Sequence, residues 1–276
     1  MADVTYRLAA LDMDGTLLNT AHAITPRTKR TLARCAEAGK LIALTTGRCL
    51  SELTEYLETV PGIAYVIGEN GACVYDPAKR EMLFQIAMDD ADVDYILEAA
   101  RDLDVRLQVF IGNQSYMQAG DEATFERCHI LDFLSVFRAG SVFVEDMEAL
   151  CRESRGSVEK VNLYFVDAAD KAVFSDRMAG RGVAVSDSIG LGCECSPLSA
   201  TKAAGLHALC DALGLPIAQT LAIGDGGNDL DLMAAAGFSV AMGNAIEAVR
   251  ALADAVTDDC DHDGCARALE KYLLGE

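Results

Sequence analysis

The sequence predicts an α/β protein: a parallel sheet flanked by helices, with a separate α+β unit inserted into it. Three observations carry this expectation. Short apolar runs alternate with helical segments through the first third of the chain. The rhythm breaks near residue 72, where a hairpin signal appears, and the strand–helix alternation resumes after residue 200. Such alternation implies parallel strands joined by right-handed crossovers.

The elements follow in order. Arg7-Leu8-Ala9-Ala10-Leu11 is an apolar run ending at Asp12. Thr25-Pro26 reads as an N-cap with proline at the first helical position, and Gly39 as the stop of that helix. Leu41-Ile42-Ala43-Leu44 is a second strand, followed by a helix from Thr46-Gly47-Arg48 to about Thr59, and Tyr65-Val66-Ile67 is a third strand. Residues 72–75 and 82–86 flank Asp76-Pro77-Ala78-Lys79-Arg80 as a hairpin. Helices are expected near 90–103, 121–137, 145–151 and 168–179, and strands near 105–111, 161–166, 183–185 and 192–195. A helix over 201–213, a strand at 220–223, a helix to Ala236, a strand at 238–242 and two last helices near 245–253 and 265–274 close the chain. The expected division is a core of residues 1–83 and 193–276 with an insertion at 84–192. No internal repeat or low-complexity linker is visible.

Composition narrows the function. Of 276 residues 51% are hydrophobic, enough for a substantial core, yet no stretch approaches the apolar length that spans a bilayer. The opening Met1-Ala2-Asp3-Val4-Thr5-Tyr6-Arg7 lacks an apolar core and has an early acid, so no secretory or transit signal is expected. A formal charge of −20, from 43 acids against 23 bases, argues against nucleic acid or anionic membrane as a partner. An anionic substrate then needs local positive charge: a cation and one or two basic residues. Ten cysteines in so long a chain favour reduced thiols and a cytoplasmic setting over a disulfide framework. Cys193-x-Cys195 lacks the second pair or the histidines of a zinc site.

The chemistry gathers at strand ends, where open parallel sheets bind ligands. Asp12-Met13-Asp14-Gly15-Thr16 follows the first strand, Thr45-Thr46-Gly47 the second, and Gly224-Asp225-Gly226-Gly227-Asn228-Asp229 a strand late in the chain. Alone, Asp-x-Asp-Gly is best read as a turn closing a strand, and Thr46 or Asn228 as a helix cap. Their shared rim outweighs those readings. Asp12, Asp14 and Asp225 make a hard-oxygen set that suits Mg²⁺. A carboxylate at Asp12 can attack phosphorus once a metal screens the charge, and Asp14 can protonate the leaving oxygen and later deprotonate water. Thr46 and Gly47 offer a hydroxyl and an N–H at a helix start. Lys202 stands in the first turn of a helix, where a cation gains nothing from the dipole, which hints at use. Asn228 can contact phosphate, with Asp229 in support. His22, His129, His207 and His262 have no metal spacing, and the acid-rich 258–264 run lacks the ligand spacing of a calcium loop.

With these residues assembled, the chain resembles the haloacid dehalogenase superfamily, and the match keeps motif order over nearly the full length. Asp12 to Thr16 is similar to its first motif, Thr46 to the second, Lys202 to the third and Gly224 to Asp229 to the fourth. Thr46-Gly47-Arg48, Glu69-Asn70-Gly71-Ala72, Ala241-Met242-Gly243-Asn244-Ala245 and Asp263-Gly264 resemble the Cof-type branch with its type IIB cap. The resemblance implies a Rossmann-like core, a mobile cap that sets specificity, and Mg²⁺ held by Asp12, the Asp14 backbone carbonyl and Asp225. It also implies phosphate binding by Thr46, Gly47, Lys202 and Asn228. Ala203 departs from the glycine that often follows the lysine in relatives. The expected activity is hydrolysis of small phosphomonoesters, such as sugar phosphates or phosphorylated cofactors. A phosphomutase or a non-catalytic phosphometabolite-binding protein are the alternatives. Specificity would lie with side chains such as Glu81, Arg106, Tyr116, Arg127, His129 and Lys160, and oligomeric state is not legible.

Overall fold

The computed structural model describes residues 5–276; the first four residues of the stretch read as signal-free lie outside the described residues. The chain opens with β1 (Leu8–Asp12), α1 (Pro26–Glu37), β2 (Leu41–Thr45), α2 (Thr54–Thr59), β3 (Ile63–Gly68), β4 (Cys73–Asp76) and β5 (Glu81–Gln85). Next come α3 (Asp90–Ala100), β6 (Val105–Ile111), β7 (Gln114–Gln118), α4 (Leu134–Gly140), β8 (Ser141–Val144), α5 (Met147–Glu153), β9 (Val158–Phe165), α6 (Ala168–Met178), β10 (Val183–Asp187) and β11 (Gly192–Pro197). It ends with α7 (Lys202–Leu213), β12 (Thr220–Gly224), α8 (Leu230–Ala235), β13 (Phe238–Ala241), α9 (Glu247–Leu252), β14 (Ala255–Val256) and α10 (Gly264–Ala268), which runs on into a π-type turn (Leu269–Leu274).

Two compact units result. The first takes the chain up to Arg48 together with Glu55–Gln85 and Ala200–Glu276, and the second takes Cys49–Thr54 and Ile86–Ser199. The main segment of the second unit, 86–199, overlaps the expected insertion at 84–192. Strand pairing separates the two units. β5 is bonded to β4 in the first sheet, whereas β11 is bonded to β9 and β10 in the second. Glu81, expected among the specificity side chains of the insertion, thus lies on β5 in the first unit.

The first unit holds an eight-stranded sheet ordered β14-β13-β12-β1-β2-β3-β4-β5. From β14 to β3 the strands are parallel, and β4 and β5 add an antiparallel hairpin at one edge. All five residues of β1 are buried, as an apolar strand covered by helices on both faces must be. Order reverses at β1, which lies between β12 and β2. Its register (Leu11 opposite Ile223, Asp12 opposite Thr45) brings the carboxyl ends of three strands level. The Asp12, Thr45 and Asp225 clusters therefore share one rim.

The second unit is a six-stranded sheet ordered β10-β11-β9-β6-β7-β8, antiparallel except for β7 with β8. β9 shows how its two faces differ. Val161, Leu163 and Phe165 join Ile96 of α3 and Phe174 of α6 in one apolar core, while Tyr164 packs with Phe125 and Phe137 in another.

Several expectations shift in detail. No helix begins at Thr46-Gly47: after a loop the chain makes one 3₁₀ turn (Leu50–Glu52) before α2. The Thr46 hydroxyl accepts the Arg48 N–H, which closes a turn instead of starting a helix. The expected helix at 121–137 is broken into 3₁₀ turns and the short α4, because Gly120 and His129 hold positive φ. β7 and β8 were not foreseen.

α1 is as the sequence expects: Thr25 caps it by accepting the Thr28 N–H, and Ala38 and Gly39 end it. Its outer face is tied to the C-terminal turn, where Arg27 donates to Glu270 at 2.6 Å and Thr31 at 3.0 Å. The Arg27 guanidinium, outweighing the cost of partial burial and aided by Thr31, holds the Glu270 carboxyl below its usual value of 4.5. Stability from this depressed carboxyl is present above the unfolded value and lost as pH falls through the folded one. Glu270→Gln should thus lower the melting temperature at neutral pH, and the gap to wild type should close below about pH 4. A gap independent of pH would contradict the pairing.

Candidate active site

The residues at the rim are built in from the backbone outward. Gly15 turns the chain after β1 with φ +85, and a Cβ there would lie 2.5 Å from an Asp225 carboxylate oxygen. Only glycine permits that approach. Thr16 follows and donates its hydroxyl to Asp225 Oδ1 at 2.8 Å. Asn244, just past the end of β13, donates to the Gly15 carbonyl (2.9 Å) and to Asp225 Oδ2 (3.2 Å), and is itself held by the Cys260 N–H. The first and fourth polar clusters are thereby locked together.

Lys202 is the first residue of α7, capped by Thr201. Its start is fixed from two sides. The Ala203 N–H donates to Asp231, so the departure at Ala203 leaves the helix start intact. The turn after β3 lies hard against it: Glu69, Asn70 and Gly71 all take positive φ, and a Cβ on Gly71 would fall 1.9 Å from the Thr201 carbonyl. The Lys202 ammonium is fully buried and donates to Asp12 Oδ1 at 2.5 Å and Asp229 Oδ1 at 2.6 Å. The second oxygen of Asp229 accepts the N–H groups of Asp225 and Gly226.

Oxygens of Asp12, Asp225 and Asp229 lie within 4.8 Å of one another. Three carboxylates around one ammonium leave excess negative charge in a buried place. Burial pushes the Asp12 carboxyl up to about 8 against the pull of Lys202, with Asp229 and Asp225 adding to the rise. Burial also raises Asp225, opposed by the Thr16 hydroxyl. Burial disfavours the Lys202 charge, but Asp12 and Asp229 outweigh it and raise the ammonium above its usual value. A small hard cation answers such a charge, and this all-oxygen donor set fits Mg²⁺. Asp229 has both oxygens engaged by nitrogen donors, so Asp12 and Asp225 are the carboxylates suited to hold the ion.

The Asp14 carboxylate is not part of this three-carboxylate group. Half exposed, it accepts from Arg48 Nη2 at 2.7 Å and Nε at 3.2 Å. Thr46 is buried, its N–H given to Ile67 and its carbonyl taken by the Asn70 N–H. Thr45 Oγ1 is buried without a hydrogen-bond partner among the described residues. Asn70 lies between two predicted phosphate residues: its side-chain oxygen accepts from Asn228 Nδ2 (3.3 Å) and faces Gly47. All the residues named as catalytic, phosphate-binding or metal-binding fall in the first unit. Arg48, Asn70 and Asn244 acquire their contacts only in three dimensions. The sequence marks the runs that contain them, just beyond the ends of β2, β3 and β13, without giving any of the three a role.

Removing the Lys202 ammonium would strand two buried carboxylates, at a cost of roughly 3–5 kcal/mol. Lys202→Ala should lower stability by about that amount in denaturant unfolding, and adding Asp229→Asn should recover part of it. Additive losses would mean the two groups do not depend on each other.

Comparison with known proteins bears on the family and the fold. A family model described as haloacid dehalogenase-like hydrolase matches residues 9–269. The 5-amino-6-(5-phospho-D-ribitylamino)uracil phosphatase YitU of Bacillus subtilis (strain 168) is 27% identical over 96% of this chain and 97% of its own. A solved haloacid dehalogenase-like hydrolase from Bacteroides thetaiotaomicron superposes with TM-score 0.85 at 26% identity, covering 97% and 99% of the two chains. The subclass IIB sugar phosphatase BT4131 shares the fold at TM-score 0.79 and 21% identity over 96% and 98% of the two chains. The chain, an enzyme of the phosphoric monoester hydrolase class, belongs to the haloacid dehalogenase-like hydrolase family whose motifs it carries.

Proposed function

We propose that the protein hydrolyses small phosphomonoesters through a phosphorylated Asp12, with Mg²⁺ as cofactor. One observation carries the reading: a carboxylate buried at the carboxyl end of β1, gripped on one oxygen by a buried ammonium at 2.5 Å. The grip fixes the Asp12 carboxylate, and a positioned nucleophile needs little further entropy to react. Asp12 and Asp225, with the main-chain carbonyl of Asp14, would hold the metal, which when bound screens the repulsion between carboxylate and phosphoryl group.

The steps use this chain's own groups. An Asp12 oxygen bonds to phosphorus as the bond to the ester oxygen breaks, and Asp14 gives that leaving oxygen a proton. Water then attacks the same phosphorus, Asp14 takes back a proton, and Asp12 is released with free phosphate. Lys202, Thr46, Gly47 and Asn228 would bind the phosphoryl oxygens. Asp229 would keep the ammonium pointed at Asp12.

The second unit is proposed to supply specificity as a cap. Among its candidates, Arg106 is engaged by Asp104 and Thr124, and Arg127 by Asp104. Tyr116 packs on the apolar core, His129 is exposed, and Lys160 lies buried near Glu194 and over the Phe110 ring. The relative's named substrate supports a small phosphorylated metabolite. No described helix is long and apolar enough to cross a membrane. All ten cysteines are free and buried, which supports work in the reducing cytoplasm.

A panel of phosphomonoesters with Mg²⁺ should reveal turnover that chelation stops and added metal restores. Asp12→Asn should reduce it by about 10³-fold or more while the folded spectrum is kept. Turnover indifferent to chelator, or near wild type in the variant, would reject the assignment.

A further inference from the structure

We propose that Arg48 is the positioning residue for Asp14: its guanidinium holds the carboxyl in the orientation from which the proton reaches the leaving oxygen. The inference rests on the phosphatase reading above and adds to it a residue that no role there uses.

The geometry is specific. Nε and Nη2 of Arg48 reach the two different oxygens of Asp14, at 3.2 and 2.7 Å. This is the two-point fork that arginine forms and lysine cannot. The two ends differ in freedom. Asp14's side chain is 50% exposed and Arg48's only 18%. No other side chain is bonded to the Asp14 carboxylate among the hydrogen bonds of the described residues. Arg48 is held along its length. Its N–H donates to the Thr46 hydroxyl, its carbonyl accepts from the Glu69 N–H, and its guanidinium lies 5.9 Å from the Tyr56 ring centroid. A firmly seated arginine thus grips a loosely seated acid.

An exposed ion pair of this kind adds little to stability. Placement is another matter, since a general acid must lie within hydrogen-bond reach of the oxygen it protonates. The clamp is compatible with transfer. The fork engages both oxygens, so transfer frees one of them: that oxygen carries and gives the proton while the guanidinium keeps the other, and the proton comes back from water in the second step.

The leaving group provides the test. p-Nitrophenolate departs without a proton, whereas an alkoxide needs one. Both kcat/KM values should be measured for wild type, Arg48→Ala, Arg48→Gln, Arg48→Lys and, as reference, Asp14→Asn. On an alkyl phosphate, Arg48→Ala and Arg48→Gln should lose about 10²-fold, as Asp14→Asn does, but less than about threefold on p-nitrophenyl phosphate. Arg48→Lys should recover part of the alkyl activity. Equal losses on both esters in a folded variant would overturn the proposal. So would a KM rise on both with kcat kept, which would mean that Arg48 binds substrate directly. A wild type inactive on both esters would instead reject the phosphatase reading and this inference with it.

Discussion

The buried ammonium of Lys202, held between Asp12 and Asp229, is the interaction on which the site depends. An isolated charge in that position would be very costly, and so would either carboxylate alone. Together they are tolerable, but only in one arrangement. Asp12 comes from β1 near the start of the chain, Lys202 from α7 and Asp229 from the turn after β12. The cost of misplacing any of them is what ties three distant segments to one geometry. The excess of negative charge that is left over suits a small hard cation beside Asp12.

The surrounding backbone is shaped to this demand. Gly15 brings the first turn within contact of Asp225. Gly71 presses against the start of α7, and the left-handed Glu69 and Asn70 before it cost conformational energy that packing must offset. Asn244 links Gly15 to Asp225 and is itself fixed by Cys260. Around the carboxylates these turns and close approaches fix where the side chains point.

Much of this was legible before any coordinates. β1 reads as a strand because five apolar-rich residues end at a polar turn, and α1 because Thr25-Pro26 can do little else. Lys202 betrayed itself by standing at the wrong end of a helix dipole. What the sequence concealed has a common cause. β7, Gln114-Ser115-Tyr116-Met117-Gln118, is short and has Tyr116 as its one strong strand former, so its place is set by pairing with β6 and β8. Thr46 looked like a helix cap because local spacing cannot distinguish a cap from a turn closed on Arg48. Arg48, Asn70 and Asn244 lie in recognisable runs, but what they do there is hidden, because their partners are 34, 158 and 229 positions away. β11 belongs to a ladder whose other strands lie upstream, a pairing that local sequence does not carry.

The central claim is that Asp12 itself takes up the phosphoryl group. Acid-quenching the enzyme during turnover of a substrate labelled in its phosphoryl group, followed by peptide mapping, addresses it directly. The account predicts label on the peptide that contains Asp12, and no label there in Asp12→Asn. Label on another residue, or a turning-over enzyme that never carries label, would contradict it.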